Sequence, residues 1–429
     1  MSYRVTGVLA AACAVVVLAG CGSDGGRTSA PPVSSSAAPS APREPLPAEF
    51  DAARGWSISA EQDVEFARPT GAPEARLLLV RASGPDGVHV VAHDAVTGAV
   101  RWRSLPVPEP EGDLDSTVFV TSDGGREYAV LATTGTGADN GVDKPARSTH
   151  LYVYGTDSSG TAVTPEREVS LPVASGDYWA QTDGRVFLEH GDTVTVVRVA
   201  DGSMTSYPED DAGLRPPKEC PHAIGSCTDR MAVVAATASG PLVQGFQSFW
   251  VPGAWISDDV KPAGASSNEG FRNVEVVGSP DGQSVLAGWP TEDPTEWLWA
   301  LHDGATGQVR GSVKCDLDGG TAHGPSGLEP VVSDHHLLAG YVAFDLSTGQ
   351  GQCFAETPDR RAIELTAVGG DTAYGAAGSD DTPVSVSLST GRATPLPDGT
   401  KVPDGVAAGS AYLGTATDGG ESILVYPPA

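Results

Sequence analysis

A turn repeated at a fixed step, strands of β-branched and aromatic residues on either side of it, and few helix signals predict an all-β fold. The architecture expected is a β-propeller of about eight four-stranded blades, with seven as the other count. The turn is Asp-x-x-Thr-Gly. It occurs as Asp94-Ala95-Val96-Thr97-Gly98, Asp303-Gly304-Ala305-Thr306-Gly307 and Asp345-Leu346-Ser347-Thr348-Gly349, with a relaxed copy at Ser387-Leu388-Ser389-Thr390-Gly391. The last three copies start 42 residues apart, which is the length of one blade.

Every copy sits in the same context. Before it runs a strand (Val88–His93, Trp297–His302, Tyr341–Phe344, Val384–Ser387), and after it a second one (Val100–Ser104, Val309–Val313, Gln352–Phe354, Arg392–Leu396). The motif therefore reads as a hairpin turn. Asp and Thr side chains bond its backbone, and Gly98, Gly307, Gly349 and Gly391 take the positive φ that other residues resist. Weaker copies at Leu151–Asp157, Thr195–Gly202 and Phe249–Asp258 fill the central gap, and Ile423–Tyr426 supplies a last strand. The segment Gly55–Ala60 is expected to close the ring as the outer strand of the final blade, because an open ring leaves edges that invite aggregation. With 53 Gly and 34 Pro, amphipathic helices of a dozen residues have little room. A sandwich array is the competing all-β fold; the constant step favours the propeller.

A turn followed by a tryptophan, Asp94 to Trp102, resembles the blades of pyrroloquinoline-quinone-like propellers. The resemblance spans most of the chain after about residue 55, and only Trp102 keeps the aromatic expected at that place. That family holds quinone-dependent alcohol dehydrogenases and also non-catalytic lipoproteins, such as the propeller subunit of the outer-membrane barrel assembly machine. A lipidated stand-alone propeller is similar to the second group. The quinone enzymes place calcium-binding acids, a tryptophan over the cofactor and a ring disulfide in the channel, and no matching arrangement is read here. The expectation is a protein with no quinone or other cofactor.

The first residues carry an address. Arg4 precedes an apolar run from Val5 to Ala19, which ends in Leu18-Ala19-Gly20-Cys21. The run is short for a spanning helix and has the pattern of a cleaved export signal. It resembles the bacterial lipobox, which implies a signal peptide over residues 1–20 and a lipid on Cys21. Residues 21–48, rich in Ser, Ala, Pro and Gly, read as a disordered tether, and residues 49–429 as the propeller. The expected location is the extracytoplasmic face of the cell membrane. In that oxidising compartment Cys220, Cys227, Cys315 and Cys353 favour disulfides. Three pairings exist; Cys220–Cys227 closes a short loop, and Cys315–Cys353 ties neighbouring blades. Cys220, His222 and Cys227 are zinc-ligand types, but their spacing fits no common zinc knuckle.

With 26 basic against 55 acidic residues, a net −29, nucleic acid is not an expected partner. Candidate ligand groups have plain alternatives. Ser333-Asp334-His335-His336 places two imidazoles on opposite faces of a strand. Asp316-Leu317-Asp318 and Asp113-Leu114-Asp115 lack the later bidentate Glu of a calcium loop and read as solvated turns. Ser279-Pro280-Asp281-Gly282 reads as a tight turn between inner strands. Trp297, Trp299 and Leu301 share one strand face and are expected between blades; Trp250 and Trp255 belong either to the core or to an exposed binding patch. No Gly-x-Ser-x-Gly elbow, phosphate loop or His-Glu-x-x-His helix occurs, so no catalytic or metal residue is assigned. Two function classes remain: a non-catalytic binding or scaffold lipoprotein with a protein or cell-envelope partner, and an enzyme using the central channel.

Overall fold

Hairpins with almost wholly apolar middle strands build the molecule. Leu77–Gly84 (LLLVRASG) pairs with Gly87–Asp94 (GVHVVAHD) from Leu77↔Asp94 to Gly84↔Gly87, and Gly87 opens its strand at φ 117°. Both strands are buried along most of their length because each face of the sheet is covered by another blade. An edge-exposed strand would alternate instead. The outer strand Val100–Ser104 does alternate, with Trp102 and Ser104 buried and Val100, Arg101 and Arg103 exposed.

The computed structural model describes residues 44–429 apart from 60–64, 67–68, 109–110, 137–146, 173–177, 219–230, 267–272, 294–295, 317–329, 334 and 418–419. These residues form eight antiparallel blades, with strands running in chain order from the centre outwards. Blade 1 has an inner strand in two pieces (Glu65–Phe66, Thr70–Ala72), and its outer strand carries an extra parallel strand, Gly160–Val163, donated by blade 2. Blades 2 to 8 have inner strands Glu111–Asp123, Tyr178–Ala180, Ala232–Thr237, Glu275–Gly278, Val331–Ser333, Ile363–Gly369 and Gly405–Ala407. Trp56–Ser59 pairs with Gly420–Tyr426 and is the outer strand of blade 8, so the chain's first strand closes the ring as expected.

The core lies between blades. Trp297, Trp299 and Leu301 of blade 5 pack on Leu337, Ala339, Val342 and Phe344 of blade 6. Ile58, Ile423 and Val425 of blade 8 pack in the same way on Leu78 and Val80 of blade 1. Trp250 and Trp255 are buried, at 0% and 6% exposure, so the exposed-patch reading of that stretch is overturned. Asp113 and Asp115 lie within the strand Glu111–Asp123, neither in a calcium loop nor in a solvated turn.

Candidate functional site

The repeated turn has a structural job, visible atom by atom. Asp94 Oδ1 accepts from Thr97 N and Thr97 Oγ1, both at 2.9 Å, and Gly98 adopts φ 73°. Asp303 holds Thr306 in the same way at 2.8 Å. Burial alone raises the Asp345 carboxyl, but hydrogen bonds from Ser347 and Thr348 outweigh it and bring the pKa down to about 2. In the relaxed copy Ser387 lacks a carboxylate. Asp371, from the inner turn of the same blade, replaces it by accepting from Ser389 Oγ at 2.6 Å.

These turns receive a side chain from the preceding blade. Trp56, Trp102 and Trp255, all on outer strands, donate Nε1–H to the carbonyls of Ala95 (3.4 Å), Thr156 (3.2 Å) and Gly304 (3.1 Å). At other interfaces Arg310 donates to Leu346 and Ser347, Gln352 to Leu388, and Arg167 to Val199. The turn glycine is required twice over: besides its φ, a Cβ on Gly98 would sit 2.6 Å from the Trp56 ring and one on Gly307 2.5 Å from the Trp255 ring. Of these three, the sequence marks only Trp102, as the aromatic that follows the Asp94 turn. Trp56 and Trp255 go unmarked because neither follows an Asp-x-x-Thr-Gly turn in its own blade, as Trp102 follows Asp94.

The inner turns between the first and second strands build a large central depression. Its volume is about 770 Å³, and its wall is drawn from every blade except blade 4. Blade 4 is excluded because blades 3 and 5 join across it. Thr182 donates both N–H and Oγ–H to Pro280 O, at 2.9 and 2.8 Å. Gln181, 3% exposed, donates to the carbonyls of Ala236 and Ser279 and accepts from Ala236 N at 2.9 Å. The turn Ser279-Pro280-Asp281-Gly282 thus lies where the sequence placed it, between inner strands, and it also bridges blades.

Charged groups on the open wall include Glu74, Arg76, Glu127, Asp281 and His335. Burial raises the Glu127 carboxyl, and this is partly offset by the N–H groups of Glu74 and Ala75, which donate to its two oxygens at 3.2 and 3.1 Å. Burial likewise raises Asp183 beside the depression, against the opposing pull of Arg185. His335 reaches the depression; its neighbour His336 faces Asp371 of blade 7 instead, Nε2 to Oδ1 at 4.0 Å. The two imidazoles do not share a site; His335 lies in the turn before the strand His336–Ala339 rather than on it, so the turn and not strand alternation separates them. Of the expected disulfides, Cys315–Cys353 is formed and joins the outer strands of blades 5 and 6. Cys21, Cys220, His222 and Cys227 lie outside the described residues, as do Leu317 and Asp318. No cluster of three or more metal-ligating side chains occurs among the described residues. Arg76, Glu127 and Gln181 went unnoticed in the sequence, since nothing local marks them.

No family model and no curated protein matches the chain. Among solved structures, dipeptidyl peptidase 4 of Porphyromonas gingivalis is similar over 80% of this chain, at 8% identity and TM-score 0.40. This chain spans about half of that protein, 54% of its length. The RRP9 WD40 repeats are similar over 90% of this chain and 99% of their own, at 11% identity and TM-score 0.37. For apo AztD from Citrobacter koseri the values are 74% and 93%, 12% and 0.32. At such identities the likeness concerns the fold alone, and the chain is an eight-bladed β-propeller.

Proposed function

We propose that this protein is a membrane-anchored extracytoplasmic lipoprotein whose propeller is a non-catalytic binding or scaffold module for a protein or cell-envelope partner. One observation carries the reading: turns from seven blades converge on a single depression of about 770 Å³, a size suited to a ligand or an inserted partner segment. The anchor rests on Leu18-Ala19-Gly20-Cys21. The docking of Trp56, Trp102 and Trp255 supports the resemblance to quinone-type propellers. An enzyme working in the channel is the second reading, favoured by the raised carboxyls of Glu127 and Asp183. Both groups are already engaged, Glu127 by two backbone N–H groups and Asp183 by Arg185, which keeps that reading second.

The test is affinity purification from detergent-solubilised membranes with a tagged chain, in parallel with the Cys21→Ser variant. The expected result is a stoichiometric envelope partner with the native chain, and release of the variant from membranes or a stall in its processing. A variant that stays membrane-bound and is cleaved normally removes the anchor; a native chain recovered alone removes the scaffold.

A further inference from the structure

Most of the inner turns share a backbone feature, and in blade 1 a long charged residue meets it. A residue with positive φ turns the chain there: glycine in blade 2 (Gly125, 77°), blade 3 (Gly184, 87°), blade 5 (Gly282, 68°) and blade 7 (Gly370, 57°), and Ala408 (49°) followed by Gly409 (82°) in blade 8. In blade 1 the residue is Arg76, at φ 56°. A β-carbon in that region is strained, and such strain persists only where neighbours over-determine the backbone. They do so here. Arg76 N bonds Pro73 O, Ala95 N bonds Arg76 O at 3.0 Å, and buried Glu127 of blade 2 holds the N–H groups of Glu74 and Ala75. The result is a backbone held so that it presents an exposed guanidinium at the wall of the central depression, with no ion pair or side-chain hydrogen bond among the described residues.

We propose that Arg76 is the ligand-reading residue of the depression and that the ligand presents a carboxylate to it. The inference rests on the binding reading above. A guanidinium offers a planar fork that matches a carboxylate bidentately. A phosphate dianion fits less well, because Glu74, Glu127 and Asp281 share the wall and the chain carries a net −29.

Backbone and arginine side-chain NMR of the full chain carrying Cys21→Ser, which takes no lipid, tests this with four probes. They are succinate, acetyl-Gly-Glu-Gly-amide, its Gln counterpart and inorganic phosphate. Either carboxylate probe should shift Arg76 Nε–H and the amides of Gly370 and Ala408 saturably, and the tighter of the two identifies a small acid or a peptide as the source. Arg76→Gly should weaken that binding at least tenfold while its Tm stays at or above that of the native protein, and Arg76→Lys should fall between. Three results overturn the inference: no saturable change at Arg76, equal binding by Arg76→Gly, or phosphate or the Gln peptide binding as tightly as the carboxylates. If Gly370 and Ala408 respond without dependence on Arg76, the depression remains a site and only the residue assignment fails. If no wall residue responds, both fail.

Discussion

The two sides of the ring treat the same hairpin turn differently. Across blades 3 to 5 the inner turns are bonded to one another, through Thr182 to Pro280 and through Gln181 to Ala236 and Ser279. From blade 6 round to blade 2 no hydrogen bond joins the inner turns of non-adjacent blades among the described residues, and the depression opens there. A ring of eight blades is wide at its centre. Closing one side satisfies buried polar groups locally and moves the free volume to the other. Rigidity and access are thereby divided between two arcs of one repeat.

The border between the arcs is the Cys315–Cys353 link of blades 5 and 6, and cutting it should have the largest effect. With a sequence separation of 38, the chain-entropy account gives a contribution of about 4 kcal/mol. The paired Cys315→Ser, Cys353→Ser variant should lose that much in urea unfolding. A loss below about 1 kcal/mol would mean that Arg310 and the blade contacts hold the border unaided.

Gln181→Ala strikes the closed arc itself. It leaves the N–H and C=O of Ala236 without their partners and should cost about 3 kcal/mol. It should also enlarge the depression towards blade 4, which faster hydrogen exchange at Ala236 and Ala238 would report. Unchanged exchange there would break the comparison.

The smallest effect concerns protonation. His302 is fully buried; its Nδ1 lies 2.8 Å from Gly307 O and its Nε2 3.2 Å from Trp289 Nε1. A carbonyl only accepts and an indole N–H only donates, so the ring is neutral with the proton on Nδ1. Burial lowers its pKa from 6.5 to about 4. With the folded value below the unfolded one, its contribution is full above pH 6.5 and is lost as pH falls towards 4, about 2 kcal/mol by pH 5. His93, the counterpart in blade 1, bonds Gly98 O at 3.0 Å but is less buried. The drop in the urea midpoint between pH 7 and pH 5 should therefore shrink in His302→Asn more than in His93→Asn. Equal behaviour would show that the two turns do not differ in burial as described.

What the sequence determined by itself was everything encoded by local chemistry and by period. The Asp-x-x-Thr-Gly turns at Asp94, Asp303 and Asp345 were legible because their hydrogen bonds and positive φ lie within five residues. A count of about eight blades followed from the 42-residue step, the closing strand near Trp56 from the cost of an open sheet edge, and the Cys315–Cys353 link from an even cysteine count in an oxidising compartment. Only the tertiary structure decided which residues substitute for one another: Arg310 and Gln352 dock where a tryptophan docks elsewhere, and Asp371 supplies the carboxylate missing at Ser387. It also decided the site. Gln181 meets Ser279 across 98 residues of chain, and Glu127 reaches back 52 residues to hold the turn that presents Arg76. No local pattern encodes such meetings, because a side chain's partner in a closed ring depends on where another blade places its turn.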